Sequence, residues 1–249
     1  ILKMGRTQLQ DAVPMTLGQE FKTFAVMIND DIIRLKNVQA LLKKVNLGAT
    51  AIGTGINTKA EYQRKVISNL REVTGVDYVG AGDLIEATQD TGSFVHISGM
   101  LKSIAIKISK ICNDLRLLSS GPRAGFNEIN LPALQPGSSI MPGKVNPVMP
   151  EVVNQVAFEV IGADATISIA SEHGQLQLNV FEPLIAYKLF TSIIMMRRAF
   201  QSLGEKCIKG ITANKEVCMN NILNSVTLVT CLNPILGYEK SSSIAKEAL

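Results

Sequence analysis

The sequence lacks tryptophan altogether, and aromatic residues make up only 5% of it. Hydrophobic residues still reach 46%, so Leu, Ile, Val, Ala and Met must build most of the core, a composition typical of packed helices. Strand signals are scarce as well, because no stretch alternates convincingly between apolar and polar residues and no Asn-Gly pair marks a hairpin. These absences favour an all-α protein.

Residues that bind metal ions are also few. The two histidines, His96 and His173, lie far apart, and no two cysteines form a CxxC pair, so a zinc site is not expected. We interpret the cysteines as four buried free thiols in a reducing cytoplasm, which predicts a cytoplasmic protein. They are Cys112, Cys207, Cys218 and Cys231.

The charge pattern argues against two classes of partner. The net charge of +4 is spread along the chain, and no block of Lys or Arg is longer than a pair, so a nucleic-acid-binding surface is not indicated. We find no apolar run of membrane-spanning length and no signal peptide. The sequence therefore predicts neither a nucleic-acid partner nor a membrane partner.

Apolar residues recur at helical spacing in several long segments. Helices of up to about 30 residues pack nearly parallel in bundles, and their faces with few charges are expected to pack against partner subunits. Pro183 should mark the first turn or a kink of the last long helix. The predicted helices cover about 16–44, 59–74, 94–118, 148–172 and 177–208, with a final one beginning near Ala213.

Residues 46–57 interrupt this pattern with three glycines in eight residues. They match neither a P-loop, because its lysine is missing, nor a GxGxxG motif. A tight connection that lines a cleft and a flexible linker are about equally favoured by the composition.

The segment from Gly137 to Pro147, called the serine loop below, is the most informative part of the chain. Gly137 and Gly143 offer backbone freedom at two points, and the prolines restrict the backbone between and after them. The amides that follow Gly137 can point inward and bind an anion. We therefore predict a hinged lid that carries its own functional groups.

Four side chains of the serine loop have the chemistry for a carboxylate substrate. Ser138 and Ser139 offer hydroxyl groups, Lys144 offers a compact positive charge, and Asn146 can donate a hydrogen bond to an oxyanion without adding charge. The composition alone also fits a surface loop before a helix. The complete pattern GSSxxPxKxN, with Glu151 five residues further on, is far more specific.

This loop and three other segments resemble the aspartase branch of the aspartase/fumarase superfamily. The similarity runs through essentially the whole chain in one order. The other segments are Lys3 to Pro14, Ser119 to Ile129 and Gly174 to Pro183, and the serine-loop match extends to Gln155.

The resemblance implies a homotetramer with a core of long helices, in which three subunits build each active site. The implied reaction is the reversible elimination of ammonia from L-aspartate to give fumarate, without an organic cofactor. Activation by a divalent cation stays open.

The resemblance also implies roles for single residues. Ser138 is expected to be the general base that removes a proton from the carbon next to the side-chain carboxylate, which requires nearby donors that favour its ionised form. Lys144, Asn146 and the loop amides would stabilise the resulting aci-carboxylate. Ser139 and Thr7 are expected to contact the substrate.

Four further positions refine or extend this site. Many superfamily members have histidine where this chain has Gln8, and glutamine cannot supply a titrating proton, which favours a leaving group that is already protonated. Glu182 also resembles the residue that the aspartase branch has at this position, where fumarases tend to have a basic residue. Glu151 fits either a role near the site or a first-turn charge favoured by the helix dipole, and Lys3 fits either a role in the site or a solvated lysine.

The domain organisation that the resemblance implies is a central helical domain at 1–213 and the beginning of a small C-terminal helical domain at 214–249. The family's N-terminal domain, with its substrate-binding Thr, Ser and Asn side chains, is absent from this chain, so we expect a fragment. Two alternatives to ammonia elimination stay open: a fumarase-type hydratase acting on malate and fumarate, and a catalytically inert structural homologue.

Overall fold

The structure, a computed structural model, describes residues 1–248. Helices dominate, and the strands pair only two at a time. The helices are α1 (Leu17–Gln39), α2 (Thr50–Gly53), α3 (Tyr62–Thr74), α4 (Glu86–Gln89), α5 (Gly92–Leu118), α6 (Val148–Glu172), α7 (Glu182–Lys206), α8 (Lys215–Leu223), α9 (Asn233–Leu236) and α10 (Tyr238–Ala248). The strands are β1 (Leu2–Thr7), β2 (Gln10–Thr16), β3 (Lys44–Val45), β4 (Val79–Gly80), β5 (Ile129–Asn130) and β6 (Thr212–Ala213), and 3₁₀ turns cover Ala40–Lys43, Ile208–Gly210 and Val226–Leu232.

The all-α class and its long helices are confirmed, and α6 has the predicted bounds. Helix α7 begins later than predicted, because the Asn179 side chain accepts a hydrogen bond from the Phe181 amide at 2.9 Å and Pro183 lies in the first turn. Proline suits that turn, since its missing N–H would have no helical partner there. Helix α3 ends where predicted, at a left-handed Gly75.

The antiparallel hairpin of β1 and β2 was not predicted, and the expectation of no clear strands is wrong there. Three consecutive residues of β1, from Lys3 to Gly5, are buried, so the alternation that normally marks a strand is missing. The two-residue hairpin turn consists of Gln8 and Leu9, with φ of 53° and 62°. Such turns usually contain Asn or Gly, and this one has neither.

Residues 46–57 form a tight connection, not a flexible linker. Gly55 donates its amide hydrogen to the carbonyl of Ala49 at 2.9 Å, and the Thr50 hydroxyl donates to the carbonyl of Ile56 at 3.0 Å. A Cβ on Gly53, which has φ of 98°, would lie 2.5 Å from the backbone of Ile85. Whether this segment lines a cleft stays a prediction.

The chain divides into two compact units. Unit 1 contains Ile1–Met27, Ile111–Pro150 and Leu203–Leu249, and unit 2 contains Ile28–Lys110 and Glu151–Ser202. The predicted domain boundary at residue 213 stays a prediction.

The core of unit 2 lies between three long helices. Helices α5, α6 and α7 contribute buried side chains that include Leu101, Val160, Ile167 and Leu189. The buried carboxylate of Asp164 accepts hydrogen bonds from the Ser98 hydroxyl at 2.7 Å and from the Lys102 ammonium at 2.5 Å. Burying a carboxylate is costly unless it is paired and hydrogen-bonded in this way.

Helix α6 corrects the prediction that no apolar run reaches membrane-spanning length. Its length and composition are sufficient to cross a membrane, and this helix is the single candidate among residues 1–248. However, Val160, Ile167 and Ala170 pack in the core of unit 2 and Asp164 is paired there. A core helix of a bundle meets the same criteria of length and composition.

Three of the four cysteines, all in unit 1, are buried as predicted, whereas Cys231 is exposed and corrects that expectation. Burial raises the pKa of the Cys112 thiol to about 12, and the nearby Cys207 contributes to this shift. Burial likewise raises the pKa of Cys207 to about 11, and it raises the pKa of Cys218. The protonated, unreactive form is favoured at all three positions.

Thiol labelling should reflect this difference. At about pH 8 we expect a thiol reagent to label Cys231 quickly and the three buried thiols only after denaturation. Because the folded pKa values of Cys112 and Cys207 lie above the ordinary value of 9.0, their contribution to stability is present below pH 9 and is lost as the pH rises toward 11 or 12. The control for the labelling prediction is Cys231→Ser. A rapid labelling phase that survives in this variant would contradict that prediction.

Candidate functional site

The serine loop closes on itself through its backbone. The Gly137 amide donates to the carbonyl of Lys144 at 2.7 Å, and the Asn146 side chain donates back to the carbonyl of Gly137 at 3.0 Å. A Cβ on Gly137 would lie 2.5 Å from the Lys144 carbonyl oxygen and 2.8 Å from its carbon. Glycine is therefore required at position 137 for close approach of two backbone segments, whereas Gly143, with φ of 80°, supplies a left-handed turn.

Ser138 has two hydrogen-bond donors at its side-chain oxygen. The backbone amides of Ile140 and Met141 both donate to Ser138 Oγ at 3.1 Å. Donors of this kind stabilise an ionised oxygen more than a neutral one, so they favour the deprotonated hydroxyl. Since both contacts use the oxygen as acceptor, the hydroxyl hydrogen stays available for a group outside the loop.

Lys144 is exposed and has no ion-pair partner among the described residues. It lines two cavities, one of about 420 Å³ that also includes Ser138 and one of about 500 Å³ that also includes Asn146. The larger cavity is also lined by Arg116, Asn127 and Asn130, and its lining includes no Asp or Glu. A cavity lined by cationic and amide residues suits an anionic ligand.

The comparison with a protein-family model agrees with these features. The protein-family model Lyase_1, described as Lyase, matches residues 1–162, which are about two thirds of the chain. The chain belongs to this lyase family. The resemblance to the aspartase/fumarase superfamily is thereby confirmed.

Individual relatives of the lyase family match the whole chain. The aspartate ammonia-lyase of Helicobacter pylori strain 26695 is 62% identical over 249 residues, which are 100% of this chain and 53% of that protein. The structure described as fumarate lyase:delta crystallin from Brucella melitensis bound to cobalt is 55% identical, with a TM-score of 0.95 over 99% of this chain and 54% of that one. A class II fumarase from Schistosoma mansoni is 33% identical, with a TM-score of 0.96 over 99% and 55%. The chain thus spans about half the length of the lyases it matches.

The predicted substrate residues of this lyase chain fall into two groups. Thr7 and Gln8 lie exposed at the end of the β1–β2 hairpin, and neither belongs to the wall of either cavity beside the serine loop. Ser138, Asn146 and Lys144 belong to those walls, and Ser139 is exposed in the same loop. Within residues 1–248 the structure therefore brings the loop residues together but does not bring the hairpin end into their cavities.

The two remaining candidates have different surroundings. Glu151 lies in the first turn of α6, where the helix dipole favours a carboxylate. Lys3 is 2% exposed, so the alternative of a solvated lysine is wrong. Its ammonium lies 2.6 Å from Glu20 Oε2 and 2.8 Å from Glu128 Oε2, the latter an ion-pair contact and not an aligned hydrogen bond.

Arg6 and Glu128 form an ion pair that was not predicted from the sequence. Arg6 lies 2.7 Å from Glu128 Oε1, and its guanidinium also stacks over the Phe126 ring at 4.2 Å. Both residues lie within segments that resemble the family. Their charge and their place in these segments were the sequence features from which a role could have been predicted. No group of three or more His, Cys, Asp or Glu residues is arranged to hold a metal ion in the part of the chain that the structure describes.

Proposed function

We propose that this chain belongs to an enzyme that reversibly eliminates ammonia from L-aspartate to give fumarate. The observation that carries the proposal is the environment of Ser138, whose oxygen accepts two backbone hydrogen bonds in a loop that also presents Lys144 and Asn146. The similarity to an aspartate ammonia-lyase at 62% identity supports the choice of substrate.

The proposed reaction begins at the carbon next to the side-chain carboxylate of aspartate. Ser138, in its ionised form, takes a proton from this carbon, and the electron pair moves into the carboxylate to give an aci-carboxylate with two negative charges. The Lys144 ammonium and an N–H of Asn146 stabilise this charge as it develops. The electron pair then returns to form the double bond of fumarate, the carbon–nitrogen bond breaks, and the protonated amine leaves as ammonia.

Gln8 supports ammonia elimination over water elimination. A hydroxide leaving group benefits from a proton donor, whereas a protonated amine leaves without one. A glutamine side chain can hydrogen-bond to the substrate but cannot titrate. We therefore assign Gln8, Thr7 and Ser139 to substrate binding and propose no organic cofactor, with activation by a divalent cation left open.

Exposed apolar side chains support the proposal of a homotetramer whose active sites are shared between three subunits. Phe158 and Ile169 on α6 and Tyr187 and Phe190 on α7 are each 60–66% exposed. Apolar side chains on neighbouring long helices commonly mark a subunit interface. A second copy would also supply residues such as Thr7 and Gln8, which lie outside the cavities of the serine loop. A cytoplasmic location completes the proposal.

The test is a direct assay of the full-length protein. Fumarate absorbance should rise when L-aspartate is added and should not rise with L-malate. Rising absorbance with malate alone would instead support a hydratase, for which the fold similarity to a class II fumarase is the supporting observation. Turnover of neither acid would contradict the proposal and favour an inert structural homologue.

A further inference from the structure

Four charged residues of unit 1 form a group of ion pairs, called the anchor cluster here, in which Lys3 and Glu128 are buried and Arg6 and Glu20 are partly exposed. Glu128 is fully buried and lies between two cations, with Lys3 at Oε2 and Arg6 at Oε1, while Glu20 binds the other side of Lys3. Two positive and two negative charges therefore balance within the cluster. Such a group is stable only when its members are paired, since each charge has lost most of its hydration.

Glu128 is itself held by elements on two sides. Its amide donates to the carbonyl of Leu118 at the end of α5, and its carbonyl accepts from the Asn214 amide before α8, both at 2.9 Å. Asn221 on α8 also donates to Glu128 Oε1 at 3.2 Å. The backbone of Glu128 is thus tied to the end of α5 and to the residue before α8, and its carboxylate is tied to α8.

The strand that Glu128 holds carries the predicted substrate residues. Arg6 directly precedes Thr7, and the hairpin turn begins at Gln8. In a regular strand, residues three apart point to opposite faces, yet Lys3 and Arg6 reach the same carboxylate. Between them the register shifts, so that Gly5 lies opposite both Ala12 and Val13, and such an irregularity increases the local twist.

The hairpin turn needs support of this kind. Gln8 and Leu9 both have positive φ, a backbone conformation that residues with a Cβ adopt only at a cost in energy. Strained turns persist when the surrounding contacts determine them, and they are concentrated at functional sites. Thr7, Gln8 and Leu9 are exposed, so the fixing contacts come from the buried part of the strand.

We propose that Glu128 is a positioning residue, whose pairing with Arg6 and Lys3 sets the place of Thr7 and Gln8 for substrate binding. The inference rests on the proposed function, because these two residues are assigned there to the substrate. Glu128 acts through Arg6 and does not itself touch substrate.

The test uses Glu128→Gln in the full-length protein, with Glu20→Gln as the matched control. Both changes remove one carboxylate beside Lys3, but only Glu128 contacts Arg6. We expect kcat/KM for L-aspartate to fall about 100-fold in Glu128→Gln, the usual cost of misplacing a group by about 1 Å, with most of the change in KM. Glu20→Gln should keep its KM.

A merely structural role gives a different result. If the substitution only lowers the folded fraction, the apparent kcat falls while KM stays unchanged, and that outcome overturns the proposal. If Glu128→Gln does not fold, the double variant Lys3→Met/Glu128→Gln removes one cation together with the anion and is measured in its place, with the same expected rise in KM.

Hydrogen exchange supplies a readout that does not depend on the reaction. Amides of residues 6–11 should exchange at least about tenfold faster in Glu128→Gln than in Glu20→Gln, because local opening becomes easier at the hairpin end. Equal exchange in the two variants overturns the positioning role. Should the parent protein not act on aspartate, the proposed function fails, while this measurement still decides whether Glu128 fixes the hairpin.

Discussion

Ser138→Ala is expected to lower kcat for ammonia elimination by about 100- to 10,000-fold, the range typical for loss of a general base. In the proposed reaction no other group of the serine loop takes the proton from carbon, since Lys144 and Asn146 act on the charge that develops. The binding of succinate, a saturated dicarboxylate, should change by less than about threefold, because the cation and the amide remain. Steady-state kinetics and competitive inhibition by succinate measure the two quantities.

The control for this prediction is Ser139→Ala. Ser139 has the same side chain in the same loop, but its hydroxyl makes no hydrogen bond within residues 1–248, and it is assigned to substrate contact. Removal of the Ser139 hydroxyl should mainly raise KM and leave kcat nearly unchanged. A near-normal kcat in Ser138→Ala would remove Ser138 from the role of base, and equal losses of kcat in the two variants would indicate a general disturbance of the loop.

Gly137→Ala is expected to be the most damaging change in the loop that leaves the functional groups themselves intact. The new Cβ would lie 2.5 Å from the Lys144 carbonyl oxygen and 3.0 Å from the Val145 Cα, so backbone atoms must move. The movement breaks the 2.7 Å hydrogen bond that keeps Lys144 next to the Ser138 end of the loop. We expect kcat/KM to fall about 100-fold or more, as for other displaced catalytic groups.

Stability should change little in this variant, because the loop is largely exposed. A fall in Tm of only a few °C is expected, because the strain falls on an exposed loop and not on the core. The matched control is Gly143→Ala, where nothing lies within 4 Å of the added Cβ and only the positive φ opposes the change. That strain of about 1–2 kcal/mol corresponds to a loss of roughly 5- to 30-fold at most. A larger loss in Gly143→Ala than in Gly137→Ala would place the critical constraint at the turn, not at the close backbone contact.

Much of the helical framework could be predicted because its signals are local. Apolar spacing located α5 and α6 closely, and Gly75 and Pro183 marked a helix end and a helix start through their own backbone preferences. The start of α7 was less accurate, since it depends on the Asn179 side chain and not on periodicity.

The hairpin and the anchor cluster could not be predicted in the same way. Residues Lys3 to Gly5 are buried on both faces of the strand, which hides the alternation, and the turn at Gln8 lacks the residues that usually reveal one. Lys3 looked equally suited to solvent, because its partner Glu128 lies 125 positions away in the chain. Nothing in a local window distinguishes a paired buried lysine from a solvated one.

The order of the residues was enough to establish the helical class, the family and the identity of the groups in the serine loop, because periodicity and short specific patterns depend on neighbours in the chain. Folding decided which groups those residues meet: that two amides converge on the oxygen of Ser138, that glycine at 137 allows a close backbone contact, and that Glu128 pairs with two cations of a distant strand. These properties depend on distances and on exclusion from water, and both arise only when segments far apart in sequence are packed together.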